Sequence, residues 1–332
     1  MARKGAKTKV GQDKSEIVAA IPRACADETA AVDFLERMRW GDVTGCPRCG
    51  DIDVYKMRDG MTGQRNKRFL WRCRGCKQQF TVRIGTVFED SRIPLRHWCF
   101  AFWAACSSKK GVSALQIKRQ TGVTYKSALF MMHRIRWAMA PFNAQDGGKL
   151  KGVVEADETF IGGKPRYRTA SVPPFFRREK MKNMGHHRKQ PVFGAVERGG
   201  RVRARVIPDV TGATLRAAVE EHVHKSARLM TDENSGYIAI GREYADHQSV
   251  CHSRGEYVRG DVTTNTIDSF WAILKRGING VYHNVSRKHL QRYLDEFEFR
   301  YNTRKVDDGA RVALAIRGAE GKRLLYRQPV GR

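Results

Sequence analysis

The sequence predicts a multidomain α+β protein, and three observations predict it. Two Cys-x-x-Cys pairs, Cys46/Cys49 and Cys73/Cys76, sit among short strand-like runs. The segment after them has apolar residues at helical spacing, broken by cap and turn residues. From about residue 150 strands alternate with helices, and acidic residues stand at the predicted strand ends. The expected order is a loose basic lead-in over 1–26, a helix plus a cysteine ribbon over 27–90, a helical segment over 91–145, an α/β domain over 146–305 and a basic tail over 306–332.

Charge narrows the function classes. Lys and Arg number 62 against 34 Asp and Glu, a net charge of +28 over 332 residues. Such a surplus exceeds what solubility needs and points to a polyanionic partner, of which nucleic acid is the usual one. No apolar run approaches the roughly 18 residues of a membrane span. The basic start MARKGAKTKVGQDK has no apolar core behind it, so no signal peptide is expected. A cytoplasmic, nucleoid-associated protein follows, and its eight cysteines are then metal ligands or plain thiols rather than disulfides.

Element by element, "DETAAVDFLERMRW" predicts a helix capped by Asp27, with Val32, Leu35 and Met38 three apart. Strands are expected over 54–57, 69–72 and 80–83. Between them, "TGCPRCG" and "WRCRGCKQQF" place 23 residues between two matched pairs. Two-residue spacing lets both thiolates of a pair turn onto one tetrahedral ion, and strands beside the pairs fit a zinc ribbon. Four thiolates leave no open position, so Cys46, Cys49, Cys73 and Cys76 are read as ligands of one structural zinc. Arg48, Lys67, Arg68, Arg72, Arg74 and Lys77 would face nucleic acid from this module.

The next segment has helix-turn-helix grammar. Ser113 can cap a helix through Gln120, Gly122 sits in the turn, and Thr124 can cap a second helix through Arg136. Ala128, Met131, Met132 and Ile135 would be its buried side. A second helix of this kind can enter a major groove, with Lys126, His133, Arg134 and Arg136 free for phosphates. An all-helical packing module is the alternative.

In the α/β domain "GVVEAD", "PVFGAVE", "RVRARVI" and "ARLMTD" read as strands and "TGATLRAAVEEHVHK" as a helix. Residues 164–190 contain nine Lys or Arg among 27, with one acidic residue and a Pro-Pro pair, and read as a basic insertion. Asp157 and Asp232 end predicted strands. Asp268 lies on a predicted helix whose apolar side is Phe270, Trp271 and Leu274. Three such carboxylates can converge on two divalent cations, which take oxygen ligands and promote phosphodiester chemistry when about 4 Å apart. Lys275 lies seven residues after Asp268 on about the same face and would hold a phosphate; Asn265, three residues before it, shares that face too. Glu155, Glu158 and Glu233 are read as neighbours pointing elsewhere.

The stretches "CPRCG", "WRCRGCKQQFTVRIGTVFEDSRIPLRHW", "GVSALQIKRQTGVTYKSA", "VEADETFIGGK", "TDENSGY", "TNTIDSFWAILKRGINGVYHNVS" and "HLQRYLDEFEFRYNTR" occur in one order. Over roughly residues 25–305 the chain resembles the insertion-sequence DDE transposases with an N-terminal zinc ribbon, the ISXO-type group. The resemblance implies a ribonuclease-H-like third domain and an acidic triad binding magnesium or manganese. Asp157 and Asp232 match its first two members. At the third the family often has Glu where this chain has Asp268, and some branches carry Asn, so Asn265 remains a second candidate. It further implies binding to the element's terminal inverted repeats, strand cleavage, strand transfer into target DNA, and at least a dimer. A non-catalytic DNA-binding regulator and a nuclease without joining are the other readings.

Overall fold

The structure is a computed structural model that describes residues 14–140, 148–162 and 189–325. Most of the basic insertion, the first 13 residues and the last seven lie outside the described residues. The chain divides into two compact units, one running to Ala140 and resuming at Thr303, the other between Pro141 and Asn302.

The first unit is helical around a small cysteine ribbon. Helix α1 (Lys14–Ala26) packs on α2 (Glu28–Trp40). It corrects the expectation of a loose lead-in: Ile17, Ile21 and Ala24 recur at helical spacing and are buried. Asp27 caps α2 by accepting from the Ala30 amide. The ribbon strands are β1 (Val54–Lys56), β2 (Trp71–Cys73) and β3 (Gln79–Phe80), all antiparallel. They are shorter than expected: Phe69 takes a positive φ of 55° ahead of β2, and after Phe80 the chain turns, with the Ile84 amide donating to the Thr81 carbonyl.

Helix α3 (Leu95–Ser107) follows, then α4 (Ala114–Thr121) and α5 (Tyr125–Met139). Ser113 and Thr124 cap the last two through the Gln116 and Ser127 amides, and Gly122 between them is left-handed at φ 75°. The chain returns here after the second unit. What sequence suggested as a basic tail includes a helix over Asp308–Arg317, with Val312, Ala313, Ala315 and Ile316 buried. Its apolar residues supply part of the unit's core, which overrides their basic surroundings.

The second unit is a five-stranded sheet with helices on both faces. In spatial order it runs β6 (Val202–Val206), β5 (Gln190–Glu197), β4 (Val153–Ile161), β7 (Arg228–Thr231) and β8 (Asp246–Ser249). The β4–β5 and β5–β6 pairs are antiparallel, while β4–β7 and β7–β8 are parallel. On one face Val154, Ala156, Phe193 and Ala195 pack with Leu215 and Val219 of α6 (Gly212–His222) and with Tyr237 and Ile240 of α7 (Gly236–Gly241). On the other, Val192, Val196 and Val202 pack with Ile267, Phe270 and Trp271 of α8 (Asn265–Gly277) and with Leu294 and Phe297 of α9 (Leu290–Asn302). A strand covered on both faces is apolar on both, and β5 is buried over six consecutive residues.

The register of β4 decides where the acidic residues go. Its antiparallel pairing with β5 runs from Val154 to Ile161. Its parallel pairing with β7 stops at Glu155 opposite Met230. Asp157 therefore does not end the strand, as its sequence suggested; it lies inside β4, just past the last rung shared with β7. Directly across from Asp157 on β5 stands Gly194. A Cβ there would meet the Trp271 ring at 2.5 Å and Ile267 at 3.1 Å, so the missing side chain lets the indole lie against the sheet. Gly194→Ala is expected to cost about 1–3 kcal/mol by overpacking, read as a lower midpoint in urea unfolding, with the Trp271 fluorescence environment changed in the folded protein.

Candidate functional site

Two clusters of metal-ligating side chains occur among the described residues. The first is Cys46, Cys49, Cys73 and Cys76, whose sulfur atoms all lie within 4.8 Å of one another. Two turns build it. Gly50, after the first pair, and Lys77, after the second, both have positive φ, 77° and 60°. The Cys46–Cys76 and Cys49–Cys73 sulfurs are 3.7 and 3.6 Å apart. Sulfurs around a tetrahedral zinc with ~2.3 Å bonds stand about 3.8 Å apart, whereas a disulfide needs about 2 Å. The four thiols therefore fit one metal ion, not two bridges. Burial opposes the Cys46 thiolate, but the Cys49 and Arg48 amides and the neighbouring thiols outweigh it and bring its pKa down to about 7. Trp71 and Phe80 stack beneath this site, with Trp40 edge-on to both.

Around the ribbon, Arg48, Lys67, Arg68, Arg74 and Lys77 are exposed; Arg74 pairs with Asp53 at 3.6 Å and lies over the Tyr55 ring. Lys126 is exposed in the first turn of α5. Arg134 and Arg136 are not available as the sequence suggested. They are 4% and 1% exposed, and Arg134 donates to the Val87 and Glu89 carbonyls at 2.8 and 2.7 Å. His133 is buried as well. The second half of α5 is enclosed on all sides except at Trp137, so Arg134 serves internal carbonyls and Arg136 lies in the packed interior.

The second cluster is acidic. Asp157 and Glu158 of β4 and Asp232, the residue after β7, place carboxylate oxygens within 4.8 Å of one another. Successive side chains of a strand point to opposite faces. Asp157 looks toward α8, where its Oδ2 accepts from the Trp271 indole at 2.9 Å. Glu158 looks toward α7 and accepts from the Tyr237 hydroxyl. Both still reach Asp232, because β7 has ended and nothing in the strand order separates them. This corrects the reading of Glu158 as a bystander. Glu233 turns away and accepts from the His252 and Ser253 amides.

Asp268 stands outside that mutual 4.8 Å group but near it. It is exposed in the first turn of α8, accepts from the Thr264 hydroxyl at 3.2 Å, and lies close enough for its charge to act on Asp157. Thr264 in turn is 3.4 Å from His252 Nε2. Asn265, Asp268 and Lys275 all lie on α8 and are exposed. Seven residues make almost two turns, so Lys275 shares the Asp268 face about 10 Å further along.

Crowding shows in the acid–base behaviour. Burial pushes the Asp157 carboxyl up to about 7; the charges of Asp232 and Asp268 add to the rise, while the Glu158 amide and the Trp271 indole oppose it. Burial raises Glu158 to about 7 also, with Asp157 and Asp232 contributing. Asp232 is raised, first by burial. Hard oxygen donors that repel one another suit a divalent cation, and oxygens around an octahedral ion with ~2.1 Å bonds are about 3–4 Å apart. Sequence gave no signal for Trp271 and Tyr237 as partners of this site beyond their place in apolar runs.

The stretches that match known proteins contain both clusters. Residues 149–302 match the family model of the ISXO2-like transposase domain, and residues 26–79 that of the transposase zinc-ribbon domain. The chain thus combines a zinc-ribbon module with a transposase domain of DDE type. Over these residues it is similar to the ISXO2-like transposases. It is 29% identical over 279 residues, 82% of this chain and 90% of the relative, to an uncharacterized protein in transposable element ISH50 of Halobacterium salinarum. It is 27% identical over 101 residues, 30% of this chain and 80% of the relative, to an uncharacterized transposase-like protein of Haemophilus influenzae. No helix among the described residues is long and apolar enough to cross a membrane.

A pH dependence follows. Folded, metal-free protein keeps protons on Asp157 and Glu158 up to about pH 7, whereas the unfolded chain releases them near pH ~4. The folded state binds more protons across that window, so its stability falls as pH rises from about 4 to about 7. Melting curves of the metal-free protein should show that fall. In Asp157→Asn the fall should be shallower and the melting temperature above pH 7 higher than in the parent.

Proposed function

We propose that the protein is a DNA transposase that binds the terminal inverted repeats of an insertion sequence, cleaves the strands at its ends and joins them to target DNA. The observation that carries this reading is the convergence of Asp157, Asp232 and Asp268 from two parallel strands and one helix, inside the transposase-domain match. The order of three antiparallel-linked strands followed by parallel ones, with helices on both faces, fits a ribonuclease-H-like domain.

Asp157 and Asp232 would hold the catalytic Mg2+ or Mn2+ ions, with Asp268 as the third member and Asn265 beside it on the same helix face. Bound divalent ions supply charge neutralisation at the phosphodiester and activate the attacking oxygen. Trp271 orients the Asp157 carboxylate by its indole N–H, and Tyr237 does the same for Glu158. Lys275 holds a phosphate of the DNA strand led along α8. The chemistry consists of two in-line displacements: water frees a 3′-hydroxyl at the element end, and that hydroxyl then attacks target DNA, each step expelling a 3′-oxygen as leaving group. Cutting two ends in one complex calls for at least a dimer.

The zinc held by Cys46, Cys49, Cys73 and Cys76 is structural. Arg48, Arg74 and Lys126 give phosphate contacts, and the exposed start of α5 is the part that reads bases as the second helix of a helix-turn-helix. Nucleoid association follows from the +28 charge.

In an assay with a terminal-repeat oligonucleotide and Mg2+ or Mn2+, Asp157→Ala should lose strand cleavage by at least about a thousandfold while keeping repeat binding at fixed salt. Repeat binding by the parent protein without metal-dependent nicking would favour a DNA-binding regulator. Nicking without joined product would favour a nuclease.

A further inference from the structure

Glu155 is the most deeply buried acidic residue of β4, at 0% exposure. It lies two residues before Asp157, so both side chains project from the same face of the strand. Its carboxylate does not join the acidic cluster. Instead, Oε2 accepts the Thr266 and Ile267 amides of α8 at 2.7 and 3.1 Å, and Oε1 accepts the Thr266 hydroxyl at 2.9 Å. The first turn of a helix leaves its amides without partners, and the residue before the helix usually supplies an acceptor. Thr264 holds that place here and makes no side-chain cap bond. The cap comes from β4, more than 100 residues away.

Arg198 completes the arrangement. Its Nε donates to Glu155 Oε1 at 2.7 Å, and its two terminal nitrogens donate to the Asp261 and Thr263 carbonyls at 2.7 and 3.0 Å. One guanidinium therefore offsets the buried charge and ties down the short strand Val262–Thr263 that leads into α8. Asp268 sits one residue beyond the amides that Glu155 holds.

We propose that Glu155 and Arg198 are a positioning pair, which places the Asp268 carboxylate opposite Asp157 by fixing the start of α8 to the strand that carries Asp157. The pair does not touch the ions. It rests on the reading of Asp268 as a metal ligand. Both oxygens of Glu155 face donors only, so a glutamine would set an NH2 group against a donor and release part of the helix start.

The test uses the full chain and Mn2+ alone, followed by the electron paramagnetic resonance of the free ion and by calorimetry. The proteins are the parent, Glu155→Gln, Asp268→Ala and the double variant. Glu155→Gln is expected to weaken Mn2+ binding by about tenfold or more, and the double variant to bind no more weakly than Asp268→Ala. A role confined to stability would lower the melting temperature and leave the Mn2+ affinity of the folded protein unchanged; that result would overturn the proposal, as would losses that multiply in the double variant. If Glu155→Gln fails to fold, Arg198→Lys keeps the charge but cannot bridge both carbonyls, and the same cycle with Asp268→Ala decides. Equal Mn2+ affinity in the parent and Asp268→Ala would overturn the metal reading itself, and the proposal with it.

Discussion

Like-charged carboxylates separate unless a fold forces them together, and in partly dry surroundings the repulsion is strong. The register of β4 is what forces them here. On one side the strand stays hydrogen-bonded to β5 as far as Ile161, while on the other its bond to β7 ends at Glu155. A stretch held from one side only can present Asp157 and Glu158 to the end of β7, where Asp232 waits. The protons that Asp157 and Glu158 retain to about pH 7 are the cost of that placement, and a divalent cation would remove it.

Around this strand the second unit supplies a shell of fixed groups. Gly194 makes room for the Trp271 ring, Trp271 donates to Asp157, and Tyr237 donates to Glu158 from the other face. The pairing of Glu298 with Arg203 holds α9 onto β6 on the α8 side of the sheet. Burial raises the Glu298 carboxyl to about 7 even so, with Arg203 opposing the rise. Trp271 and Tyr237 orient carboxylates of the acidic cluster without being metal-ligating groups themselves, which is the usual arrangement around a metal.

Much of this was legible in the sequence wherever the signal is local. Asp27, Ser113 and Thr124 cap the helices they precede, because a cap needs only a short side chain a few residues from its amide. The cysteine pairs announce their own geometry by spacing. Asp157, Asp232 and Asp268 stand out as a set because they fall at two predicted strand ends and on one predicted helix, in an order of strands and helices that lets them converge. Signals failed where a long-range contact overrides local chemistry. The basic start hid the helix over Lys14–Ala26, whose buried side among the described side chains consists of Ile17, Ile21 and Ala24. Arg134 and Arg136 looked like phosphate ligands, but tertiary packing encloses their helix. Glu155 looked like a spare charge because the helix it caps begins more than 100 residues later.

The most direct measurement is anomalous diffraction from crystals of the full chain soaked in Mn2+ and grown with a terminal-repeat oligonucleotide. Peaks bound by Asp157 and Asp232, with Asp268 on at least one ion and a DNA phosphate bridging them, are expected. Ordered DNA over the ribbon and α5 with no Mn2+ at these carboxylates, or with Mn2+ bound elsewhere, would contradict the assignment.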